Sequence, residues 1–340
     1  MRERPRVGFL GVGWIGRHRM AAMIDSGAIH AAALSDPSPD MVREALALAP
    51  DATACALLEE MLALDLDGVV IATPSAMHAA QSIAALEAGA AVFCQKPLGR
   101  DAMEVTAVVD AARRADRLLG VDLSYRFTAG MQAIAEHMRA GALGRVFAID
   151  LTFHNAYGPD KPWFYDRALS GGGCVMDLGI HLADLALWLT GAPAVEHVDA
   201  VLSAQGQPLG DAAAVEDHAV AQVRLAGGVT VRLACSWRLH AGQDAVIEAA
   251  FYGDQGGAAL RNVDGSFYDF TATLFRGTAR EVLATPPDDW GGRAAIDWAR
   301  RLAAGARFDA AAGEGFIATA RLLDAIYAGS SSPRLKAGMT

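Results

Sequence analysis

Paired cysteines are missing from this 340-residue chain. Its four cysteines, Cys55, Cys94, Cys174 and Cys235, stand far apart with no CxxC among them, which leaves neither a disulfide framework nor a zinc knuckle. Long apolar runs are also missing. None reaches the roughly 18 uninterrupted residues that a membrane-spanning helix needs, and alanine inflates the 53% hydrophobic content. Basic character is scarce: 29 Lys and Arg face 39 Asp and Glu, a formal net charge of -10. With no dense Lys/Arg stripe, that balance argues against a binder of nucleic-acid phosphates. There is no low-complexity tract and no repeat with a period of roughly 20–50 residues. The N-terminal stretch MRERPRVGFLGVGWIGRHR places basic residues before an apolar segment, as a secretion signal does. That segment is Gly-rich, is soon broken by Arg17 and lacks a small-residue cleavage site, so a cytoplasmic location is expected.

What is present is a rhythm. The length exceeds what one hydrophobic core usually serves, so two domains are expected. Over the first 120 residues strands and helices alternate: strands at 6–10, 28–36, 52–55, 67–74, 90–97 and 118–125, with helices at 16–27, 39–49, 57–63, 75–89 and 101–116. Ser75 is placed to cap the fourth helix and Gly89 to end it. Repeated β-α units predict a doubly wound parallel sheet. After Tyr125 the pattern changes to a helix at 129–140, a strand at 145–155, a loop and helix over 156–190, then alternating apolar and polar runs. Such alternation suits an antiparallel sheet with one buried face. AGGVT at 226–230 predicts a hairpin, and helices are expected at 288–305 and 314–328. The predicted fold is α/β: an N-terminal Rossmann-type doubly wound parallel sheet in residues 1–123, then an α+β domain with an open, mainly antiparallel sheet in 124–335.

GVGWIG at 11–16 fits GxGxxG between a predicted strand and a predicted helix. In that setting Gly11 allows a tight turn, Gly13 close approach of a pyrophosphate, and Gly16 close helix–strand packing. Trp14 and Ile15 sit at the helix start, where backbone N–H groups and the positive dipole end attract phosphate. Asp36, 20 residues past Gly16, ends the second strand, where an acid binds ribose hydroxyls and repels a 2′-phosphate. NAD is therefore the expected cofactor, with NADP the alternative because Ser35 and Ser38 could serve a phosphate.

SGGGCVMDLGIHLADLALWLTG at 170–191 puts three glycines before an apolar helix. Asp177 and His181 are four apart, one turn from each other on one face, and Asp184 and Trp188 continue that face. Such a carboxylate can orient an imidazole for general acid–base work, or the pair can be a helical hydrogen bond and nothing more. A metal would need a third ligand. His154 and His218 are the candidates, but their spacing does not call for one, and no metal is expected.

A lysine followed by proline at a strand end (VFCQKPLG, 92–99), after a GxGxxG domain and before GGGxxxDxGxHxxD, resembles the glucose–fructose oxidoreductase / inositol dehydrogenase / MocA (Gfo/Idh/MocA) family. The resemblance extends to VVIATPSAMHAAQSIAALEAG (69–89) and YRF (125–127). It implies a Rossmann domain followed by an α/β domain on an open sheet that often forms an oligomer interface, here a homodimer or homotetramer. The family's Glu-Lys-Pro lysine, which reaches the substrate hydroxyl near the nicotinamide, matches Lys96, and its Asp and His match Asp177 and His181. His181 is thereby implied as general acid/base, with Asp177 and Lys96 positioning and polarising the reacting oxygen. Gln95 stands where the family usually has Glu. Thr73 and Pro74 resemble its nucleotide-contacting turn, and His78, just beyond, is placed to contact the cofactor or else to face solvent. The loop at 154–167, rich in aromatic and polar groups, suggests Trp163, His154 and Tyr125 as lining a polyol pocket, while Arg126 suits a structural ion pair equally well. The expected activity is an NAD(P)-dependent dehydrogenase acting on a secondary alcohol of a sugar, cyclitol or similar polyol. The alternatives are a non-catalytic dinucleotide-binding regulator and an NAD-dependent glycosidase. No nucleic-acid or membrane partner is expected.

Overall fold

The computed structural model describes residues 4–209 and 214–330. The first part of the chain runs β1 (Arg6–Leu10), α1 (Trp14–Asp25), β2 (His30–Ser35), α2 (Pro39–Leu48), β3 (Thr53–Ala54), α3 (Leu58–Leu62), β4 (Gly68–Ile71), α4 (Ser75–Glu87), β5 (Ala91–Cys94), α5 (Ala102–Ala115) and β6 (Leu119–Val121). The six strands pair in parallel in the order β3-β2-β1-β4-β5-β6. Strands β4 and β5 are buried along their whole length, because helices cover both faces of a parallel sheet. The strand order reverses between β1 and β4, and ligands of such sheets bind outside the carboxyl ends at that point.

The remainder adds α6 (Ala129–Arg139), β7 (Val146–Asn155), α7 (Arg167–Ser170), α8 (Ile180–Thr190), β8 (Val195–Ala204), β9 (Gln207–Pro208), β10 (His218–Leu225), β11 (Val229–Ser236), β12 (Ala245–Gly253), β13 (Gly257–Asn262), β14 (Phe270–Arg276), β15 (Ala279–Ala284), α9 (Arg293–Ala303) and α10 (Ala310–Gly329). Nine strands form a second sheet, β15-β14-β13-β12-β7-β11-β10-β8-β9. Only the β7–β11 pair is parallel. Strand β10 shows the predicted alternation: Ala219, Ala221, Val223 and Leu225 are buried, while Val220, Gln222 and Arg224 face out. The 226–228 hairpin closes through Gly227 and Gly228, both at positive φ. The stretch Arg167–Thr190 is long and apolar enough to cross a membrane by length and composition. Of its most apolar window, 78% is buried inside the protein, as a core helix requires.

Three details depart from the sequence expectation. Pro74, not Ser75, occupies the cap of α4, and Ser75 is buried as its first residue. Helix α10 begins at 310, where the Asp309 carboxylate accepts from Ala312 N at 3.1 Å. Helix α9 packs on the first sheet although it lies far beyond residue 123: Trp298 meets Phe93 with ring centroids 5.9 Å apart. A Cβ on Gly68 or Gly120 would come within 2.7 Å of the Trp298 ring, so those two glycines make its seat. The cut at 123 divides the sequence but not the packing.

Candidate active site

A cleft of about 930 Å³ lies at the carboxyl ends of the parallel strands, between them and α8. Its nucleotide side is the Gly-rich turn. Gly11 has φ +82, and a Cβ there would stand 2.6 Å from Ala72 O. At Gly16 a Cβ would stand 2.0 Å from Gly11 O, so these two glycines permit close packing and do not themselves line the cleft. Gly13, Trp14 and Ile15 do line it. A Cβ on Gly13 would meet nothing within 4 Å. Helix α1 has no side-chain cap and no acid in its first turn, which leaves its first N–H groups to a bound anion. These features fit the pyrophosphate of a dinucleotide. Asp36 braces the turn, accepting from Val12 N and Ser38 N at 2.9 Å each, and it lines the cleft beside Arg17 and Glu44, themselves paired at 2.8 Å. The two glycines therefore predict opposite phenotypes. Gly16→Ala loses about 2 kcal/mol or more of stability through overpacking. Gly13→Ala keeps its melting temperature while its NADH affinity falls about tenfold or more, since a methyl group enters the space where backbone approaches phosphate. Thermal unfolding and fluorescence titration read the two effects, and equal stability of both variants would contradict the assignment.

The next turn is held by His78. Its ring is buried, with Nε2 2.6 Å from Thr73 O and Nδ1 2.7 Å from Pro97 O. Burial holds its pKa below 6.5 against those two carbonyls. Thr73 donates its hydroxyl to Gln81 Oε1 at 2.6 Å. His78 and Thr73 border the cleft with Pro74, but the His78 ring is lodged between the β4–α4 turn and the turn after β5, where the Lys96–Pro97 bond is cis, and in its neutral form donates to one of the two carbonyls. That use differs from the cofactor contact expected of His78.

Lys96 leaves β5 and reaches across the cleft. Its Nζ donates to Asp177 Oδ1 at 2.7 Å and to Asp177 O at 2.8 Å. The other carboxylate oxygen, Oδ2, accepts from Trp237 Nε1 at 3.0 Å. Asp177 therefore does not orient His181, as the i,i+4 spacing suggested. Residues 175–179 form a wider π-type turn ahead of α8, which changes the angular relation between the two positions, and both carboxylate oxygens have other partners. His181 lines the same cleft and is held by ring contacts, with Tyr125 at 4.9 Å and Phe153 at 6.4 Å between centroids. Its Nδ1 is sealed in protein without a partner, so Nε2 is the nitrogen available to the cleft. Burial, with the positive charges of Lys96 and Arg19, pushes its pKa well below 6.5. The imidazole is neutral at pH 7.

Other expectations resolve residue by residue. Tyr125 and Trp163 line the cleft, Trp163 stacked on Phe164 at 3.9 Å. His154 is not among the lining residues. It sits on β7 opposite Ser236 of the parallel partner strand, and its Nδ1 lies 2.8 Å from Ser236 Oγ, so the expected pocket contact is not made. Arg126 pairs with buried Asp184 and lies over Trp188. Among the described residues no cluster of three or more His, Cys, Asp or Glu could hold a metal ion. The glycines of the GGG turn have a packing cause: a Cβ on Gly172 would fall 1.8 Å from Tyr327 Oη, and one on Gly173 1.9 Å from Glu216 O. Buried Glu216 accepts from Gly173 N, Val175 N and Tyr327 Oη at 2.9–3.0 Å, and burial outweighs these bonds in raising its pKa. Sequence reading missed Glu216, Trp237, Arg19 and Asp122, none of which sits in a motif.

A Rossmann sheet with an open α1 terminus, its cleft shared with an ion-paired lysine and a neutral imidazole, defines a dinucleotide-binding protein. Residues 5–123 match the description "Oxidoreductase family, NAD-binding Rossmann fold", and residues 131–259 match "GFO/IDH/MocA C-terminal domain". The chain belongs to the Gfo/Idh/MocA oxidoreductase family. It is 29% identical to the D-glucoside 3-dehydrogenase of Escherichia coli over 59% of this chain and 60% of that one. With the inositol 2-dehydrogenase of Rhizobium meliloti identity is 28% over 76% of each chain. The solved structure of levoglucosan dehydrogenase in complex with NADH has the same fold, with TM-score 0.82 and 22% identity over 96% of this chain and 97% of that chain.

Proposed function

We propose that this protein is an NAD-dependent dehydrogenase that oxidises a secondary alcohol of a sugar, cyclitol or similar polyol. The observation that carries the reading is the convergence of Lys96 and an imidazole kept neutral by burial on one cleft, next to the dinucleotide turn. Gly13, Trp14 and Ile15 would hold the pyrophosphate, Asp36 the adenosine ribose, and Gln95 and Lys96 would border the nicotinamide. When bound, the nicotinamide supplies the hydride acceptor. The chain supplies proton handling and geometry. Lys96 Nζ, fixed by Asp177, donates a hydrogen bond to the reacting oxygen and stabilises its developing negative charge. His181 Nε2 takes the hydroxyl proton, and a neutral imidazole is the form able to do so. Tyr125 and Trp163 offer the apolar ring faces that sugar C–H surfaces pack against.

Support for the substrate class comes from the relatives, named for glucoside, inositol and levoglucosan. Support for NAD over NADP comes from the Asp36 carboxylate at the adenosine end, since Glu44 is already matched by Arg17. A panel of sugars and cyclitols, incubated with NAD while reduced nicotinamide absorbance is followed, tests the reading. Net NADH from at least one polyol is expected. Sugar release without net NADH would instead indicate the glycosidase chemistry, and silence across a broad panel a binding protein.

The same reading includes a homo-oligomer built on the open face of the second sheet, supported by exposed Val201 and Val220 on adjacent strands there. Sedimentation should give a multiple of the single-chain mass, and a monomer at micromolar concentration would contradict it. A cytoplasmic location accords with the four cysteines, all buried and unpaired.

A further inference from the structure

A second ion pair lies beneath the cleft, 103 residues apart in sequence. Arg19 on α1 donates from Nε to Asp122 Oδ2 at 2.6 Å, and both side chains are buried. Asp122, just past β6, also takes the Ser124 hydroxyl on Oδ1 at 2.5 Å. Arg19 reaches Ser124 Oγ at 3.3 Å through Nη2 and His18 Nδ1 at 2.9 Å through Nη1. The amide Nε2 of Gln95 donates to the Oδ2 that Arg19 holds. Arg19, Gln95, Asp122 and Ser124 all border the cleft that contains Lys96, Asp177 and His181.

Charge counting explains the neutral residue at position 95. Lys96 is matched by Asp177, and Arg19 by Asp122. A glutamate at 95 would set a second carboxylate against Asp122 with no cation to match it, and like charges in so dry a place are strongly unfavourable. Gln95 instead offers the carboxylate a donor. That contact also fixes which way the amide faces, because its oxygen cannot point at a carboxylate. With Nε2 committed, Oε1 is the amide's remaining acceptor, one residue before Lys96.

We propose that Arg19 and Asp122 are positioning residues that clamp the Gln95 amide beside Lys96 at the nicotinamide end of the cleft, with Asp122 carrying the negative charge that Glu-Lys-Pro chains place at 95. The inference rests on the functional reading above, because it assigns a ligand to the cleft. It predicts a charge transposition. Gln95→Glu and Asp122→Asn each weaken NADH binding and lower kcat/KM about tenfold, the first by pairing two carboxylates and the second by leaving Arg19 buried and unmatched. The double variant Gln95→Glu/Asp122→Asn restores one carboxylate, one amide and one guanidinium, and returns both quantities to within about threefold of wild type. Losses that simply add in the double variant would overturn the proposal. Should Asp122→Asn not fold, Gln95→Leu decides the matter. It leaves the Arg19–Asp122 pair intact, so the protein still folds, with its melting temperature lowered only by the loss of one hydrogen bond to Asp122, while its NADH affinity or kcat falls about tenfold. Wild-type values for both overturn the clamp. NADH affinity is read by fluorescence titration, so the cycle remains decisive even if no polyol is turned over. Absent turnover sinks the dehydrogenase reading alone, and additive affinity losses sink the clamp alone.

Discussion

Replacing His181 with alanine lowers the turnover of alcohol oxidation by about 10²–10⁴-fold, the contribution expected of a positioned general base. Lys96→Ala produces a loss of similar order, because it removes the donor proposed for the reacting oxygen. Both variants retain NADH affinity within about threefold, since the pyrophosphate and ribose contacts lie at the other end of the cleft. The two differ in pH dependence. His181 has its pKa held well below 6.5 by burial and by the charges of Lys96 and Arg19. For a base that must be deprotonated, the acid limb of kcat/KM then falls below pH 6.5, and the rate is flat through neutrality. Lys96→Ala takes away one of those positive charges, so imidazolium becomes easier to form and the limb moves to higher pH in the residual activity. Steady-state kinetics across pH, with NADH titrations in parallel, check both statements. Turnover near wild type in both variants would remove the proposed mechanism.

Gly173→Ala is the backbone counterpart. The new methyl group would lie 1.9 Å from Glu216 O, with Glu216 C and N also within 3.0 Å. A flexible side chain could swing aside, but here the obstacle is backbone, itself fixed by the Cys174 N–H bond to Glu216 O at 2.9 Å. The turn must open, and the Glu216 carboxylate loses its hold on Gly173 N and Val175 N. Overpacking of this kind costs about 3 kcal/mol. Because the same turn leads into the segment bearing Asp177 and the helix bearing His181, activity is lost along with stability. Gly191→Ala is the control. Gly191 ends α8 at φ +78 with nothing within 4 Å of the new methyl, so it costs only about 1 kcal/mol for the left-handed backbone. Denaturant midpoints compare the two, and equal destabilisation would contradict the role given to the Gly173–Glu216 contact.

The residues that sequence reading found are those whose cause is local. GVGWIG is legible because spacing alone places Gly11 and Gly16 against backbone and Gly13 in the open. Lys96 is legible because one of only three lysines in the chain closes an apolar strand against a proline. The alternating pattern of β10 shows a sheet with one buried face. What stayed hidden depends on contacts distant in sequence. Trp237 meets Asp177 across 60 residues, Glu216 pins the glycine turn from 43 residues away, and Arg19 finds Asp122 across 103. Trp298 lies against strands far from it in the chain. The i,i+4 rule misplaced the partner of Asp177 because it assumes a regular α-helix, and the turn at 175–179 is wider than one. His154 failed for a related reason: membership of an aromatic, polar stretch says nothing about which face of β7 a side chain takes, and its partner is Ser236 on the neighbouring strand.

The central claim is that one alcohol oxygen sits between Lys96 and His181. A crystal structure of the wild-type protein with NADH and a polyol from the panel tests it most directly. The expected result is a secondary hydroxyl within hydrogen-bond distance of both Lys96 Nζ and His181 Nε2, its carbon facing the nicotinamide ring and Tyr125 and Trp163 against the sugar. A polyol bound elsewhere in the cleft, with neither Lys96 nor His181 on any of its hydroxyls, would contradict it.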